Sequence, residues 1–526
     1  GFFSLVLSFL FPKEKKERKT HPKGDTHMQQ SAGPAMEGAQ RGRLFARRPL
    51  CLAALGALLG LLLYAALEQA QALPALLVLP ALTLAAAVYR RGALAALVPA
   101  CLVCLSALLQ CPSAPAAAEG LLTGRIAEPP AAERGRQVLL LDAAAVDGEP
   151  VRGRVELTVY GAAPLSYGQR VAVHASLRTA EPDWRFYDRY RGVACRARAE
   201  GLPGVAPGRR DAYGLLLAVR AAISERIGLL FPAGAQAEAA RGILLGGGVA
   251  DMDEGTEAQF RAVGIAHLLA VSGLHVGVLA GALMAPLRLV RGLWARFFTL
   301  AALLLLYAAL TAFTPSVLRA CVMVLCAQPA MPLRRRRDLM SALSLAFVLV
   351  LLARPFALWN AGFQLSFLAV GGLALLAKPL ARRFAALGSR GAAALSSGVA
   401  VVVAGLPATA RFFGALPLSS LAANLLVLSL VPLFFVPALL ALGLGAVWLP
   451  LGRAVAVLPQ AALELILRVA EAGGALALTV PAPGTAGYLL FLLWMLLSSP
   501  LCLAQGRRKM LLSGGAALLT ALLWSW

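Results

Sequence analysis

Ser272 and His275 stand three residues apart in the run His267-Leu268-Leu269-Ala270-Val271-Ser272-Gly273-Leu274-His275. On a helix that spacing brings a hydroxyl and an imidazole to one face, the arrangement a nucleophile and its base require. A serine hydrolase also needs a group that orients the imidazole, and no acid lies near the run. Metal chemistry is no better supported. Asp251-Met252-Asp253-Glu254 gathers three carboxylates, but no His or Cys joins them at ligand spacing. They read instead as the cap and favourable N-terminal charge of a helix bearing Phe260 and Val263. Cys101 and Cys104 form a C-x-x-C inside an apolar stretch, where cysteine behaves as a small buried hydrophobe. No phosphate loop of the form G-x-x-x-x-G-K-S/T occurs, so ATP hydrolysis by that route is not expected, and neither is a cofactor.

The more informative polar residues interrupt apolar sequence, where a polar group is costly and marks a path or a helix contact. The run containing His267, Ser272, Gly273 and His275 is the first such island. Pro315-Ser316-Val317-Leu318-Arg319-Ala320 places an arginine in an otherwise apolar helix, three residues after Ser316 and on its face. Asn360-Ala361-Gly362-Phe363-Gln364-Leu365-Ser366-Phe367 is the third island, and Ser419 to Leu426, with Asn424, is the fourth. Interhelical packing through Ser, Asn and Gln accounts for any one of them as well as transport does. A different grouping lies upstream, where Trp184, Phe186, Tyr187 and Tyr190 interleave with Arg185, Arg189, Arg191, Arg196 and Arg198. Rings that stack on bases and guanidinium groups that meet phosphates suit single-stranded nucleic acid of any sequence. Aromatics packed into a small core are the alternative.

These residues sit on elements whose composition is that of a membrane protein. Of 526 residues, 59% are hydrophobic and 14% charged, with a mean hydropathy of +0.74, far from a soluble domain. Windows such as 50–67, 93–110, 297–313 and 486–505 are long enough to cross ~30 Å of hydrocarbon. Further spans are expected at 72–89, 265–287, 316–333, 338–353, 356–376, 393–409, 454–472 and 510–526, with one or two in 415–449, where Pro432 and Pro437 permit a break. The formal charge of +23 is no evidence for nucleic acid. From residue 259 onward, 20 bases face three acids, Asp338, Glu464 and Glu471, and the bases cluster at helix ends as the positive-inside rule requires.

The same rule orients the chain. With Arg41, Arg43, Arg47 and Arg48 in the cytoplasm, three spans precede 119–201 and place it outside. That region carries 12 Arg against 11 acids, β-branched or alternating stretches at 137–141, 151–160 and 170–177, and turns at Asp147-Gly148 and Tyr167-Gly168. It reads as a small closed β domain, with a bridge between Cys111 and Cys195 as an open option. The expected fold is thus a polytopic α-helical membrane protein of about 11–13 transmembrane helices carrying an extracytoplasmic β-barrel. Residues 1–48 read as a disordered tail with Met28 or Met36 as the start, 49–111 as N-terminal spans, 211–264 as interfacial helices and 510–526 as a terminal span.

Gly242-Ile243-Leu244-Leu245-Gly246, followed by Phe260, Gly264 and HLLAVSGLHVG at 267–277, resembles the signature of ComEC-type competence proteins. PSVLRA at 315–320, GFQLSF at 362–367 and SLAANLL at 420–426 fall in the order that family shows, and Asp183 to Ala199 resembles the close of its exported, OB-like domain. The resemblance implies an OB-like domain over 119–201, a competence or channel domain over 238–505, and a multi-pass protein of the bacterial inner membrane that passes one DNA strand inward during natural transformation. It implies as partners single-stranded DNA, a DNA receptor at the outer face, a cytoplasmic DNA translocase ATPase, single-strand-binding proteins and membrane lipid. Longer members carry a metallo-β-lactamase-like domain; five histidines, His21, His27, His174, His267 and His275, do not assemble its metal cluster, so no enzymatic activity is expected. A secondary transporter of small anions, or an intramembrane hydrolase, is the rival reading.

Overall fold

A computed structural model describes residues 49–524 apart from 70–78, 80–82, 84–93, 114, 116–117, 134–135, 162–163, 180–184, 209–210, 247–253, 329–337, 414, 418–419, 473–476, 480–482 and 500–505. The N-terminal 48 residues, most of the expected span at 72–89, Asp251 to Asp253, Arg334 to Arg337 and Trp184 lie outside the described residues.

Two apolar helices, α1 (Pro49–Gln69) and α2 (Leu94–Gln110), open the described chain. They touch backbone to backbone, because a Cβ on Gly56 or Gly60 would overlap Ala96 or Ala100, the small-residue packing that substitutes for hydrophobic drive in lipid. Five main strands follow: β1 (Glu119–Ile126), β2 (Arg136–Val146), β3 (Arg154–Tyr160), β4 (Arg170–Thr179) and β5 (Val193–Ala199), with the short strands Ala131–Glu133, Glu149–Pro150 and Gly204–Ala206 paired alongside β2 and β4. Their order is β1-β2-β3-β5-β4, and β4 returns to β1 with Leu122 opposite Val173, so the sheet closes into a barrel. β3 and β5 run parallel and the other neighbours antiparallel, the Greek-key pattern of an OB-like barrel. Its core is the inward half of the alternation, including Leu122, Leu139, Leu157, Val173 and Cys195. The Asp147-Gly148 turn has positive φ at both residues, 50° and 87°, the geometry for which Asp-Gly is favoured in hairpins.

Short helix α3 (Arg185–Tyr190) lies between β4 and β5. After the barrel come α4 (Ala212–Leu230), α5 (Ala235–Leu245) and α6 (Glu254–Ala262), then α7 (Gly273–Leu287), α8 (Leu293–Leu310), α9 (Pro315–Ala327), α10 (Leu339–Ala353), α11 (Ala361–Arg383), α12 (Gly388–Phe413), α13 (Ser420–Val447), α14 (Leu449–Ala472), α15 (Thr485–Ser498) and α16 (Gly506–Leu522). Among the described residues five helical stretches are long and apolar enough to cross a bilayer, 49–69, 293–310, 361–383, 385–413 and 420–447, and five shorter apolar helices accompany them. The chain is a polytopic helical membrane protein with a small barrel inserted after its first spans.

One element differs from the sequence expectation, and two options the sequence leaves open are decided by the fold. The span expected from 265 begins only at Gly273, because Ala266–Leu268 forms a 3₁₀ turn and Ser272 takes the cap position. α13 runs unbroken through Pro432 and Pro437, which neighbouring helices tolerate by accommodating the freed backbone groups. Cys111 and Cys195 are both free thiols. Cys195 points into the barrel at 1% exposure, and burial pushes its thiol up to about 11. It will therefore resist maleimide at neutral pH, and topology needs another probe. In a cysteine-free background, Glu200→Cys, at an exposed position just past β5, is expected to react with an impermeant maleimide in intact spheroplasts. Labelling only after the membrane is breached would reverse the assigned orientation.

Candidate functional site

The first three islands meet at the mouths of α7, α9 and α11. Ala312 and Phe313 adopt positive φ, 56° and 51°, an unusual backbone for residues with side chains that reverses the chain sharply after α8. Pro315 then opens α9 at a position where its missing N–H costs nothing. From this start Ser316 Oγ donates to the Gly362 carbonyl at 3.2 Å, and one turn on Arg319 Nη1 donates to the Ser366 carbonyl. α9 and α11 therefore lie side by side in the same direction, with Ser316 and Arg319 as the cross-links. The guanidinium also lies over the Phe367 ring at 5.9 Å. Gly273, the first residue of α7, completes the contact, since a Cβ there would overlap the Arg319 guanidinium. Nothing in the sequence marks Gly273 as special for this reason; the neighbour that requires it is 46 residues away.

Arg319 is 6% exposed, and its Nε makes no hydrogen bond to a described residue. No carboxylate among the described residues reaches it within ion-pair distance. The three acids of this half are placed elsewhere: Asp338 caps α10 by accepting from Ser341 N–H, Glu464 binds Arg468 and Gln236, and Glu471 is exposed at the end of α14. The bundle thus holds a cation whose charge the described protein does not balance.

Ser272 and His275 are brought together, but as a helix cap. His275 Nδ1 accepts the Ser272 backbone N–H at 2.9 Å, and the Ser272 hydroxyl is more distant at 3.4 Å. An imidazole thus plays the part that Glu or Gln plays in a capping box. With Nδ1 accepting, the proton resides on Nε2. That nitrogen is buried and bonds to no described residue, while the ring stacks on Phe435 of α13 at 5.3 Å. Among the described residues no acid orients the ring for general-base work, so the pair as described lacks hydrolase geometry. Tyr307 of α8 stands edge-on to Phe435 and its hydroxyl donates to the Leu244 carbonyl at 3.3 Å. His267 lies on the 3₁₀ turn with its side chain exposed.

Asn360 caps α11 by accepting from Phe363 N–H at 3.0 Å. Gln364 donates to the Leu358 carbonyl and accepts from the Tyr488 hydroxyl of α15, both at 2.8 Å. Ser366 meets Arg319 through its carbonyl, and Asn424 is half-buried on the first turns of α13. Sequence reasoning missed Tyr488 and Phe435, because an aromatic in an apolar helix carries no local sign of its polar or stacking partner.

The aromatic and basic segment at 185–191 lies where the barrel meets the bundle. Phe186 stacks on Trp359 with ring centres 4.3 Å apart and planes 9° from parallel. Arg189 forms an ion pair with Glu68 at the end of α1 and lies 5.6 Å over Phe186 and 5.7 Å over Phe356. Tyr190 packs with Trp359 and Phe356 in the same cluster. Arg191 pairs with Glu156, and Arg196 with Asp188, which is 1% exposed. Tyr187 stays on the surface, and the side chain of Arg185 falls outside the described residues. Among the described residues no three metal-ligating side chains converge.

Comparison with known proteins bears on these positions. ComE operon protein 3 of Bacillus subtilis (strain 168) is 39% identical over 109 residues, a stretch that covers 20% of this chain and 14% of that protein. No solved structure matches. The Competence protein family model matches residues 244–507, half of the chain, and the match takes in all four polar islands. The chain is a multi-pass cell-membrane protein that belongs to the Competence protein family.

Proposed function

We propose that the chain is the conduit through which a single strand of DNA crosses the bacterial cell membrane during natural transformation, with the barrel on the outer side guiding the strand in. The observation that carries this reading is Arg319: a buried guanidinium without a carboxylate partner among the described residues, set where three polar islands converge. A charge on a membrane helix costs at least ~2.5 kcal/mol on insertion scales, and a polyanion in transit would supply the counter-charge that the protein does not. His267, Ser272, Gly273, His275, Asn360, Gln364, Ser366 and Asn424 are the polar groups proposed to border the path. In this reading the chain conducts and does not catalyse. It works with a DNA receptor at the outer face, a cytoplasmic ATPase that pulls, single-strand-binding proteins that hold the entering strand, and lipid around the bundle.

The same cation would also serve a transporter of small anions, so the test must separate the two. In a strain lacking the gene, labelled DNA is expected to stay sensitive to external nuclease, and a plasmid-borne copy is expected to restore a protected, single-stranded pool. Unchanged DNA entry in the deletion strain, with loss of uptake of a small anion, would favour the transporter.

A further inference from the structure

A second aromatic and basic grouping lies on the outer wall of the barrel, beside the segment that meets the bundle. Along β3 the inward residues Val155, Leu157 and Val159 alternate with Glu156, Thr158 and Tyr160, so Tyr160 faces out, and it is 46% exposed. β5 pairs with β3 in parallel, placing Arg198 opposite Thr158, and β4 pairs with β5 so that Ser176 faces Arg198 and Arg178 faces Arg196. On the other side Arg136 of β2 stands directly opposite Tyr160. Arg198 lies over the Tyr160 ring at 5.2 Å from its centre.

Four arginines on or beside this wall fall into two groups. Arg196 and Arg191 are tied to Glu156 and Asp188. Arg178 and Arg198 are exposed and have no carboxylate within 4.0 Å among the described residues. The wall thus presents one open ring beside two guanidinium groups, Arg178 and Arg198, that meet no carboxylate among the described residues, spread over three adjacent strands, a width of about 10 Å at ~4.8 Å per strand.

We propose that this wall binds single-stranded nucleic acid, with Tyr160 stacking on a base and Arg178 and Arg198 on neighbouring phosphates. The proposal rests on the conduit reading and assigns the strand's first contact. Three features favour this occupant over an acidic protein. The ring has an open face beside cations, the stacking chemistry that single strands use. Tyr160 and Arg136 lie on the second and third barrel strands, the face through which OB-like barrels engage oligonucleotides. Phe186, Arg189 and Tyr190 are already engaged with the bundle, whereas the Tyr160 ring stays exposed beside Arg198.

The test uses the full chain in nanodiscs and a fluorescent 20-nucleotide oligothymidine, followed by anisotropy at several salt concentrations. Tyr160→Ala is expected to weaken binding on the order of tenfold, as removal of one stacked base does, and Tyr160→Trp to restore it. Arg178→Gln with Arg198→Gln is expected to flatten the log–log salt slope by about 1.4, or ~0.7 for each phosphate no longer neutralised. Continued protection of Cys195 from maleimide certifies that the barrel of each variant is closed. Unchanged affinity and slope in such folded variants would overturn the proposal. So would competition by polyglutamate as strong as that by oligothymidine, which points to an acidic protein instead. Because binding is read on purified protein and uptake in cells, the wall and the conduit can fail independently.

Discussion

Replacing Arg319 by alanine is expected to leave the chain inserted at normal abundance and to lower DNA uptake by at least tenfold. The expectation follows from what the guanidinium touches. It donates to a carbonyl of α11, lies over Phe367 and abuts Gly273, yet meets no carboxylate among the described residues. Removing it relieves the cost of a buried charge and strands no partner anion, so the destabilisation of a broken buried ion pair does not arise. What disappears is a positive centre that a phosphodiester would use. Arg319→Lys should recover uptake only in part, since an ammonium keeps the charge but not the planar fork that reaches Ser366 while facing Phe367. Gly273→Ala is expected to fall between them, because its Cβ must displace the guanidinium. Immunoblots of the membrane fraction and nuclease-protected label, measured on the same cells, decide the matter. Protein and uptake falling together would assign Arg319 to packing.

How much of this is legible in the sequence depends on how far apart the interacting residues lie. The spans are readable because their signal is local: twenty apolar residues and basic flanks. The barrel strands are readable because alternation is local as well, and Asp147-Gly148 announces its own turn. Element ends are less secure. The start of α7 is set by Ser272 and by an imidazole standing in for a carboxylate, and apolar composition upstream conceals it. The break allowed at Pro432 and Pro437 does not occur, since packing around α13 outweighs the local defect. Phe186 and Trp359 are separated by 173 positions, and Arg189 and Glu68 by 121. An aromatic and basic segment looks the same in sequence whether its rings will meet a base or another helix. The islands are recognisable individually, but only the fold places Gly273, Arg319 and Ser366 in one contact.

The contact between Arg189 and Glu68 leads to the second large effect, on the attachment of the barrel. Both side chains are nearly buried, at 12% and 13% exposure. Arg189 also lies between Phe186 and Phe356, and Phe186 is stacked on Trp359. Trp359 immediately precedes Asn360, the cap of α11, so this contact fixes the barrel to the end of the helix that carries Gln364 and Ser366. Arg189→Ala leaves Glu68 buried without its partner, and Glu68→Ala does the same to Arg189. Each is expected to weaken the joint by about 3–5 kcal/mol, whereas replacing both with leucine should cost far less, since neither charge is then stranded. Hydrogen exchange in 185–191 and 355–360 reads the joint directly. The single variants should speed exchange in both segments on the order of 10²–10³-fold, at ~1.4 kcal/mol per factor of ten, and the double leucine variant should return it towards the parent. If the barrel guides the strand as proposed, DNA uptake should follow the same order, because a loosened barrel would no longer hold the strand to the same helix ends. Exchange that is unchanged in Arg189→Ala would reduce the pair to the ~0–1 kcal/mol of a surface ion pair and leave the Phe186–Trp359 stack as the joint.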